Sequence, residues 1–292
     1  MQARVEEELN VPVGDGTTLG GLIVSRKAAG DAGDPVFVVW PALGVWARYY
    51  RPLAYGLCDA GADAVLFDLR GSGRSRPLAG RSTRYGYREL LTRDWPRALA
   101  VVRERFAARP VFLLGHSLGG QLSALYLALE PTAAAGLVLV ATSTPYFPRY
   151  GPLGGVRVLV GSQLMVAVSR LLGYLPATGF GSRQAAGLIA DWGRQARTGR
   201  YAVDGLPDLE SRLGQVRLPV LSVCVDGDRQ APPRAVEHLC EKLSGAAVTR
   251  WRYGPAEAGA ARLSHLSWVP HSGQLAARIR GWAGGVTEGR ST

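Results

Sequence analysis

The sequence predicts an α/β fold in which a mostly parallel central sheet carries helices on both faces. Short apolar segments of strand length alternate with longer segments of helical spacing along most of the 292 residues. Such alternation is typical of β-α-β units joined into one sheet. Hydrophobic residues make up 47% of the chain, which supplies a large core. The alternation is interrupted between residues 143 and 214, which indicates an insertion.

The predicted strands follow from their length, their apolar content and the turn residues beside them. Segments 4–13 and 18–26 flank a Gly14-Asp15-Gly16 turn and predict a leading pair of strands. The later segments are short and almost wholly apolar, as strands covered on both faces are. They lie at 35–40, 63–69, 110–115, 136–142, 219–227 and 246–253.

Between these strands, apolar residues recur at helical spacing. We expect Pro96 to kink the second of these helices or to delay its start, since proline cannot donate a backbone hydrogen bond. The predicted helices cover 48–61, 87–106, 120–129, 233–243 and 272–284.

The irregular segment 143–214 predicts a helical cap inserted into a core domain made of 1–142 and 215–284. We expect this cap either to cover an apolar pocket or simply to pack on the core. Its most apolar segment, 156–175, is interrupted by polar residues and two arginines, so we expect no membrane span. The polar end of the chain, 285–292, predicts a disordered tail.

The charge balance is strongly basic, with a formal net charge of +11, yet only two of the 34 basic residues are lysines. Segment 70–109 concentrates this charge, with eleven arginines and three acids. We expect no nucleic-acid partner, because neither a recognition module nor an aromatic stacking platform is present. The beginning of the chain lacks an apolar signal segment and the three cysteines have no metal-like spacing. These features predict a cytoplasmic protein with reduced thiols.

A nucleophile motif lies where the predicted strand 110–115 meets the following helix. Gly115-His116-Ser117-Leu118-Gly119 fits G-x-S-x-G, in which the serine occupies a strained strand-to-helix turn. Glycines beside it let neighbouring backbone pass closely. The N-terminus of the helix directs backbone N–H groups at whatever bonds to the serine. The sequence therefore predicts Ser117 as a nucleophile.

Four segments together resemble the α/β-hydrolase superfamily over nearly the whole chain. The superfamily runs serine, acid and histidine in that order, and this sequence has the same order. The resemblance implies an α/β-hydrolase fold of the serine-nucleophile type with a helical cap. The four segments are GHSLGG (115–120), FDLRGSGRS (67–75), DGDRQAPP (226–233) and RLSHLSWVP (262–270).

A serine hydroxyl needs a base, and the base needs an acid that fixes its tautomer. His265 is the expected base, because it lies in a loop ahead of the last helix. The resemblance places the acid at Asp228, four residues before Pro232, and Asp226 stays open as the alternative. The other three histidines are weaker candidates for the base: His116 should point away from Ser117, and the other two are His238 and His271.

The oxyanion hole should combine the backbone N–H of Leu118 with one from the loop after strand 35–40. Relatives often carry His-Gly where this chain has Trp40-Pro41. Ala42 is therefore the predicted second donor, with Leu43 as the alternative.

We expect a substrate pocket lined by Trp40, Leu43, Tyr146 and Trp192. Asp68 and Arg70 are expected to hold the loop FDLRGSGRS rather than to take part in chemistry.

The resulting hypothesis is a serine hydrolase that cleaves a carboxylic ester or thioester of a hydrophobic small molecule through an acyl-enzyme on Ser117. It predicts no metal and no organic cofactor. The alternative is non-hydrolytic transfer, cyclisation or elimination by the same residues. A substrate linked to coenzyme A or to an acyl carrier protein would suit the basic segment 70–109. A non-catalytic binding protein is the third class, which loss of Ser117 chemistry with retained ligand binding would indicate.

Overall fold

The computed structural model describes residues 4–26, 31–177 and 181–289. An eight-stranded sheet forms the centre, with spatial order β1-β2-β4-β3-β5-β6-β9-β10. The strands β7 and β8 form a separate two-stranded sheet. In chain order the strands are β1 (Arg4–Pro12), β2 (Thr18–Arg26), β3 (Val36–Trp40), β4 (Asp63–Phe67), β5 (Val111–His116), β6 (Gly136–Val140), β7 (Tyr174–Leu175), β8 (Gln184–Ala185), β9 (Pro219–Val225) and β10 (Ala247–Tyr253).

Six neighbouring strands of the large sheet are parallel, from β4 to β10. The strand β2 pairs antiparallel with both β1 and β4. The predicted mostly parallel sheet is therefore confirmed. Because parallel strands end at the same edge of a sheet, the loops after β3, β5, β6 and β9 meet there.

The core consists of two apolar layers, one on each face of the sheet. Successive side chains of a strand point to opposite faces. Val36, Val38 and Trp40 of β3 accordingly belong to one layer, and Phe37 and Val39 belong to the other.

Helices cover both layers. The first layer packs against α3 and α4, and the second packs against α1 and α10. A π-helical turn at Leu90–Asp94 joins α2 to α3, and Pro96 lies in the first turn of α3. The chain is already helical from Tyr87 onward, so Pro96 does not begin the helix, and the irregularity beside it is the π-helical turn. The helices are α1 (Arg51–Asp59), α2 (Tyr87–Glu89), α3 (Trp95–Arg105), α4 (Leu118–Leu129), α5 (Gly151–Leu172), α6 (Ala186–Thr198), α7 (Leu209–Leu213), α8 (Pro233–Lys242), α9 (Pro255–Ala258) and α10 (Gly273–Glu288).

The chain between β6 and β9 holds α5, α6, α7 and the small sheet β7-β8. The long helix α5 packs along α6, and the buried residues of α5 include Ser162 and Val166. We propose that this segment is the cap, with the boundaries 143–214 that the sequence predicts. The segment Phe147–Leu172 is long and apolar enough to cross a membrane by length and composition, whereas the sequence analysis expected no span there.

The end of the chain differs from the prediction. Helix α10 continues to Glu288, four residues into the segment predicted to be disordered. Gly284 and Gly285 do not end the helix, because Ala283 and its apolar neighbours on α10 are held against the sheet. Residues 290–292 lie outside the described residues.

The loop FDLRGSGRS is held by two buried charges, as predicted. Asp68 accepts hydrogen bonds from the backbone N–H groups of Ala47 (2.7 Å) and Arg74 (2.8 Å). Arg70 is nearly buried, forms a bidentate pair with Asp94 and donates to Asp15 at 2.8 Å. Arg70 therefore connects this loop both to the π-helical turn before α3 and to the turn between β1 and β2.

We expect Arg70→Met to lower the free energy of unfolding by about 3–5 kcal/mol, because it leaves the carboxylate of Asp94 buried without its partner. Urea unfolding measures this change. The matched control is Arg74→Met, which breaks an exposed pair with Glu8 and should cost less than about 1 kcal/mol. Equal effects of the two substitutions would show that the Arg70 pair does not hold the loop.

Candidate active site

Ser117 occupies the sharp turn between β5 and α4. Its φ of 52° lies in the left-handed region that residues with a side chain rarely adopt. The turn fits only because its flanking glycines lack side chains. A Cβ on Gly115 would lie 2.2 Å from the Cα of Gly120, and one on Gly119 would lie 2.3 Å from the carbonyl oxygen of Trp40. The G-x-S-x-G pattern thus has a steric cause at both glycines.

His265 and Asp228 meet at the same edge of the sheet. The Nδ1 of His265 and the Oδ2 of Asp228 are 2.7 Å apart, and both side chains are nearly buried. The Oδ1 of Asp228 accepts from the backbone N–H groups of Gln230 (2.8 Å) and Ala231 (3.1 Å). These contacts orient the carboxylate toward His265. An ionised Asp228 keeps the ring hydrogen on Nδ1 and leaves Nε2 as the acceptor.

The alternative acid, Asp226, has a different role. Its Oδ1 accepts from Nε and Nη2 of Arg252 at 3.0 and 2.7 Å, at the exposed side of β10. His238 is also away from the triad, with its Nδ1 2.7 Å from the hydroxyl of Thr144. His271 is exposed beside α10, and its carbonyl accepts from the hydroxyl of Tyr253.

Ser117 and His265 line one cavity of about 840 Å³. Its wall comes from the loops after β3, β5, β6, β9 and β10 and from the cap helices α5 and α6. Among the described residues the wall contains no aspartate or glutamate. Its large apolar residues include Leu43, Val45, Val158, Met165, Trp192 and Leu266.

One predicted oxyanion donor is already engaged. The N–H of Ala42 donates to the hydroxyl of Tyr50 at 3.0 Å, so it does not point freely into the cavity. This finding corrects the assignment of Ala42. Within the described parts of the chain, the N–H groups of Leu43 and Leu118 have no hydrogen-bond partner, and both residues line the cavity. Leu43, the predicted alternative, is therefore the better partner for Leu118.

The buried pair Tyr50 and His116 lies behind the candidate site. The Tyr50 hydroxyl accepts from Ala42, so its own hydrogen is available to the Nδ1 of His116, 2.7 Å away. The ring centroids of His116 and His265 are 4.7 Å apart. Burial, and then the nearby His265, lower the pKa of His116 well below its ordinary value of 6.5, so this ring is neutral.

Two of the four predicted pocket residues lie elsewhere. Trp40 is fully buried and stacks on Trp95, with ring centroids 3.6 Å apart, because its position on β3 directs it into the core layer. Tyr146 packs against the ring of His238 and does not line the cavity. Leu43 and Trp192 do line it, as predicted.

Tyr50 and the four arginines that line the cavity are not among the site residues predicted from the sequence; the arginines are Arg48, Arg51, Arg157 and Arg229. In the sequence, Tyr50 is one of several apolar residues at the start of a predicted helix, and it belongs to no recognised motif. Arg157 of α5 and Arg229, next to Asp228, line both the main cavity and an adjoining groove of about 700 Å³. They are exposed and form no ion pair within the described residues.

The arrangement has the parts of a base-assisted nucleophile. The Ser117 hydroxyl, at the N-terminus of α4, shares a cavity with the imidazole of His265. The Nδ1 of that imidazole contacts the carboxylate of Asp228. The two backbone N–H groups without a partner in the described residues, those of Leu43 and Leu118, belong to residues that line the same cavity. The described residues contain no group of three or more histidine, cysteine, aspartate or glutamate side chains that could hold a metal.

Comparisons with known proteins agree with this fold. A family model described as the alpha/beta hydrolase fold matches residues 35–259, which confirms the predicted resemblance and fold class. No curated protein matches the sequence significantly.

Solved structures are similar at low identity, which shows the fold alone. Est1E from Butyrivibrio proteoclasticus, solved with ferulic acid bound, has a TM-score of 0.62 at 13% identity, over 93% of this chain and 97% of that one. Proline iminopeptidase from Mycobacterium smegmatis has 0.62 at 15%, over 97% and 100%. A thioesterase domain from the curacin biosynthetic pathway has 0.56 at 15%, over 97% and 99%.

Because His116 is buried and neutral, we expect the free energy of unfolding to depend on pH. Because its pKa is lower in the folded chain than the ordinary 6.5, unfolding takes up a proton below about pH 6.5. The free energy of unfolding should fall as pH drops below that value, by up to about 1.4 kcal/mol per pH unit from this residue. Urea unfolding at several pH values from 5 to 7 measures the slope. His116→Gln should reduce it, and an unchanged slope would show that His116 titrates normally.

Proposed function

Since the chain belongs to the alpha/beta hydrolase fold family, we propose that it is a serine hydrolase acting on carboxylic esters or thioesters. Ser117 is the nucleophile, His265 the base and Asp228 the acid that orients it. The N–H groups of Leu118 and Leu43 hold the oxyanion. The substrate is a hydrophobic small molecule.

The observation that carries this proposal is the 2.7 Å contact between Asp228 and His265 at a cavity shared with Ser117. Taken separately, a strained serine turn and a buried aspartate–histidine pair can each be explained by structure alone, without a catalytic role. Their convergence on one cavity is what a nucleophile and its base require. Three separate loops supply the three residues, so local folding alone does not explain their meeting.

Acylation follows from these positions. As the Ser117 hydroxyl attacks the carbonyl carbon, its proton passes to the Nε2 of His265. The carbonyl oxygen becomes an oxyanion and accepts hydrogen bonds from the N–H groups of Leu118 and Leu43. Asp228 stabilises the imidazolium without taking its proton. The tetrahedral intermediate then collapses, and His265 gives the proton to the departing alkoxide or thiolate.

Deacylation repeats the same steps with water. His265 takes a proton from water as the water oxygen attacks the acyl carbon held on Ser117. Collapse of the second intermediate returns the proton to Ser117 and releases a carboxylic acid. In the alternative function another hydroxyl, amine or thiol replaces water, and the product is a transferred or cyclised acyl group.

The acyl group has an apolar region available to it. Val158 and Met165 of α5 and Trp192 of α6 contribute to the cavity wall together with Leu43. Burying an acyl chain against such side chains is favourable by about 0.8 kcal/mol per methylene. The cavity volume of about 840 Å³ is within the usual range for small-molecule sites. Solved structures of similar fold include esterases and a thioesterase domain, which supports ester chemistry.

A fluorophosphonate probe tests the nucleophile. We expect one adduct on the wild type, none on Ser117→Ala, and labelling slowed by about 10³–10⁴-fold in Asp228→Asn and His265→Ala, because the serine then lacks an oriented base. Intact-mass spectrometry follows the adduct over time. The matched control is Asp226→Asn, two residues from the acid, which should label at close to the wild-type rate. Absence of an adduct on folded wild type would contradict the proposal.

One observation favours a substrate linked to coenzyme A or a carrier protein, the substrate class that the sequence associates with the non-hydrolytic alternative. Arg157 and Arg229 stand where the catalytic cavity joins the neighbouring groove, without a carboxylate partner among the described residues. The two acids of that groove are both paired, Asp226 with Arg252 and Asp228 with His265. A phosphate-bearing leaving group would find two arginines between the cavity and the groove.

A leaving group of this kind predicts that the enzyme prefers the phosphate-bearing thioester to an uncharged one. Octanoyl-coenzyme A should be hydrolysed with a higher kcat/KM than the uncharged octanoyl-N-acetylcysteamine, which has the same acyl thioester. Arg157→Gln and Arg229→Gln should each lower kcat/KM for the coenzyme A thioester by about 3–10-fold and leave the neutral thioester nearly unchanged. Arg212→Gln, at an exposed arginine of α7 outside segment 70–109, is the control. If the wild type hydrolysed both thioesters with equal kcat/KM, a role for the two arginines in binding the leaving group would be contradicted.

A further inference from the structure

We infer that the outer face of α5 docks on an anionic lipid surface. Five large aliphatic side chains stand out from this helix and form what we call the α5 stripe. Their exposed fractions are 60% or more at every position. At 100° per residue they fall within an arc of about 80°, so they share one face. The stripe consists of Leu153 (84%), Val156 (61%), Val160 (60%), Leu164 (61%) and Leu171 (81%).

The opposite face of α5 is already used. Val158, Ser162 and Met165 line the catalytic cavity, and Val166 is buried against Gly193 of α6. Only 22% of the most apolar window of Phe147–Leu172 is buried. The helix therefore has one face committed to the cap and the cavity and another that presents aliphatic side chains outward. Contiguous exposed apolar surface of this kind marks an interaction site.

The charged residues beside the α5 stripe favour binding to an anionic lipid surface. Arg157 and Arg170 are the only charged residues of α5, and helical geometry places one on each side of the stripe. Residues 143–190 contain four arginines and no acid. Arg81, whose Nε lies 3.4 Å from the carbonyl oxygen of Leu172, adds another cation at the end of the helix. An aliphatic face flanked by arginines is the pattern of a helix that lies in the interface of an anionic bilayer.

Two other arrangements of the α5 stripe, contact with a second copy of the chain and insertion across a membrane, fit the observations less well. A second copy of the chain would bring two arginine-flanked faces together, and like charges repel. A transmembrane arrangement would withdraw α5 from α6 and open the cavity wall that Val158 and Met165 form. A helix lying flat on lipid keeps both of these contacts and buries only the stripe.

Docking in this way has a consequence for the position of the cavity. A helix with its side chains is about 10–12 Å across, so the cavity would lie about one helix diameter from the lipid surface. The inference concerns the outer face of α5 and does not depend on the proposed chemistry of Ser117.

Vesicle flotation tests the inference. Vesicles of phosphatidylcholine alone are compared with vesicles that contain about one third phosphatidylglycerol. We expect the wild type to float with the anionic vesicles and to dissociate at high salt. The triple variant Leu153→Ser, Val160→Ser, Leu164→Ser should bind at least about tenfold more weakly, because three side chains lose their burial in lipid. Arg170→Gln should weaken binding about fivefold. Val5→Ser, at an exposed aliphatic residue of β1, is the matched control and should bind as the wild type does.

Any one of four results would overturn the inference. The first three are no binding of the wild type to anionic vesicles, equal binding by the triple variant, and a concentration-dependent dimer in light scattering that the triple variant abolishes. Equal binding to both kinds of vesicle would exclude the arginine contribution and the anionic surface with it. Hydrolysis of a soluble short-chain ester should be the same in the triple variant and the wild type, since none of the three residues lines the cavity. Fluorophosphonate labelling reports the chemistry separately, so failure of one proposal is distinguishable from failure of the other.

Discussion

The close approach of helix α4 to the ends of β3 and β5 is the constraint on which the site depends. Gly119 passes so near the carbonyl of Trp40, and Gly115 so near Gly120, that neither tolerates a Cβ. This approach forces Ser117 into a positive φ and brings its hydroxyl to the edge of the sheet where the neighbouring loops meet. It also brings the N–H of Leu118 beside the loop that carries Leu43. The strain at one residue is held in place by the packing of a whole helix against the sheet.

A second, buried set of contacts connects the loops around that turn. The Tyr50 hydroxyl joins the N–H of Ala42 to the ring of His116, and that ring lies against His265. The loop after β3, the end of β5 and the histidine loop are thus in contact behind the cavity. Burial keeps His116 neutral and raises the pKa of Tyr50, so this set carries no charge that would compete with Asp228 for His265.

Much of the fold could be predicted from the sequence, because the signals were local. The short apolar strands, the glycine-flanked serine and the order of serine, acid and histidine all depend on neighbouring residues. Asp228 and Asp226 could be ranked only by the resemblance, and their contacts now differ clearly. The errors arose where tertiary contacts decide. Trp40 faces the core because of the pleat of β3, Tyr146 packs on His238, and the N–H of Ala42 is engaged by a tyrosine eight residues away. The exposed stripe of α5 was also not predictable, since an apolar helix in a cap is equally consistent with burial.

The central claim is that catalysis passes through an acyl group on Ser117. The most direct measurement is acid-quenched mass spectrometry of the wild type during turnover of p-nitrophenyl octanoate, with peptide mapping of the adduct. We expect an octanoyl increment on the wild-type peptide that contains Ser117, and no increment on the same peptide of Ser117→Ala. Turnover without any acyl adduct, or with the adduct on another residue, would contradict it.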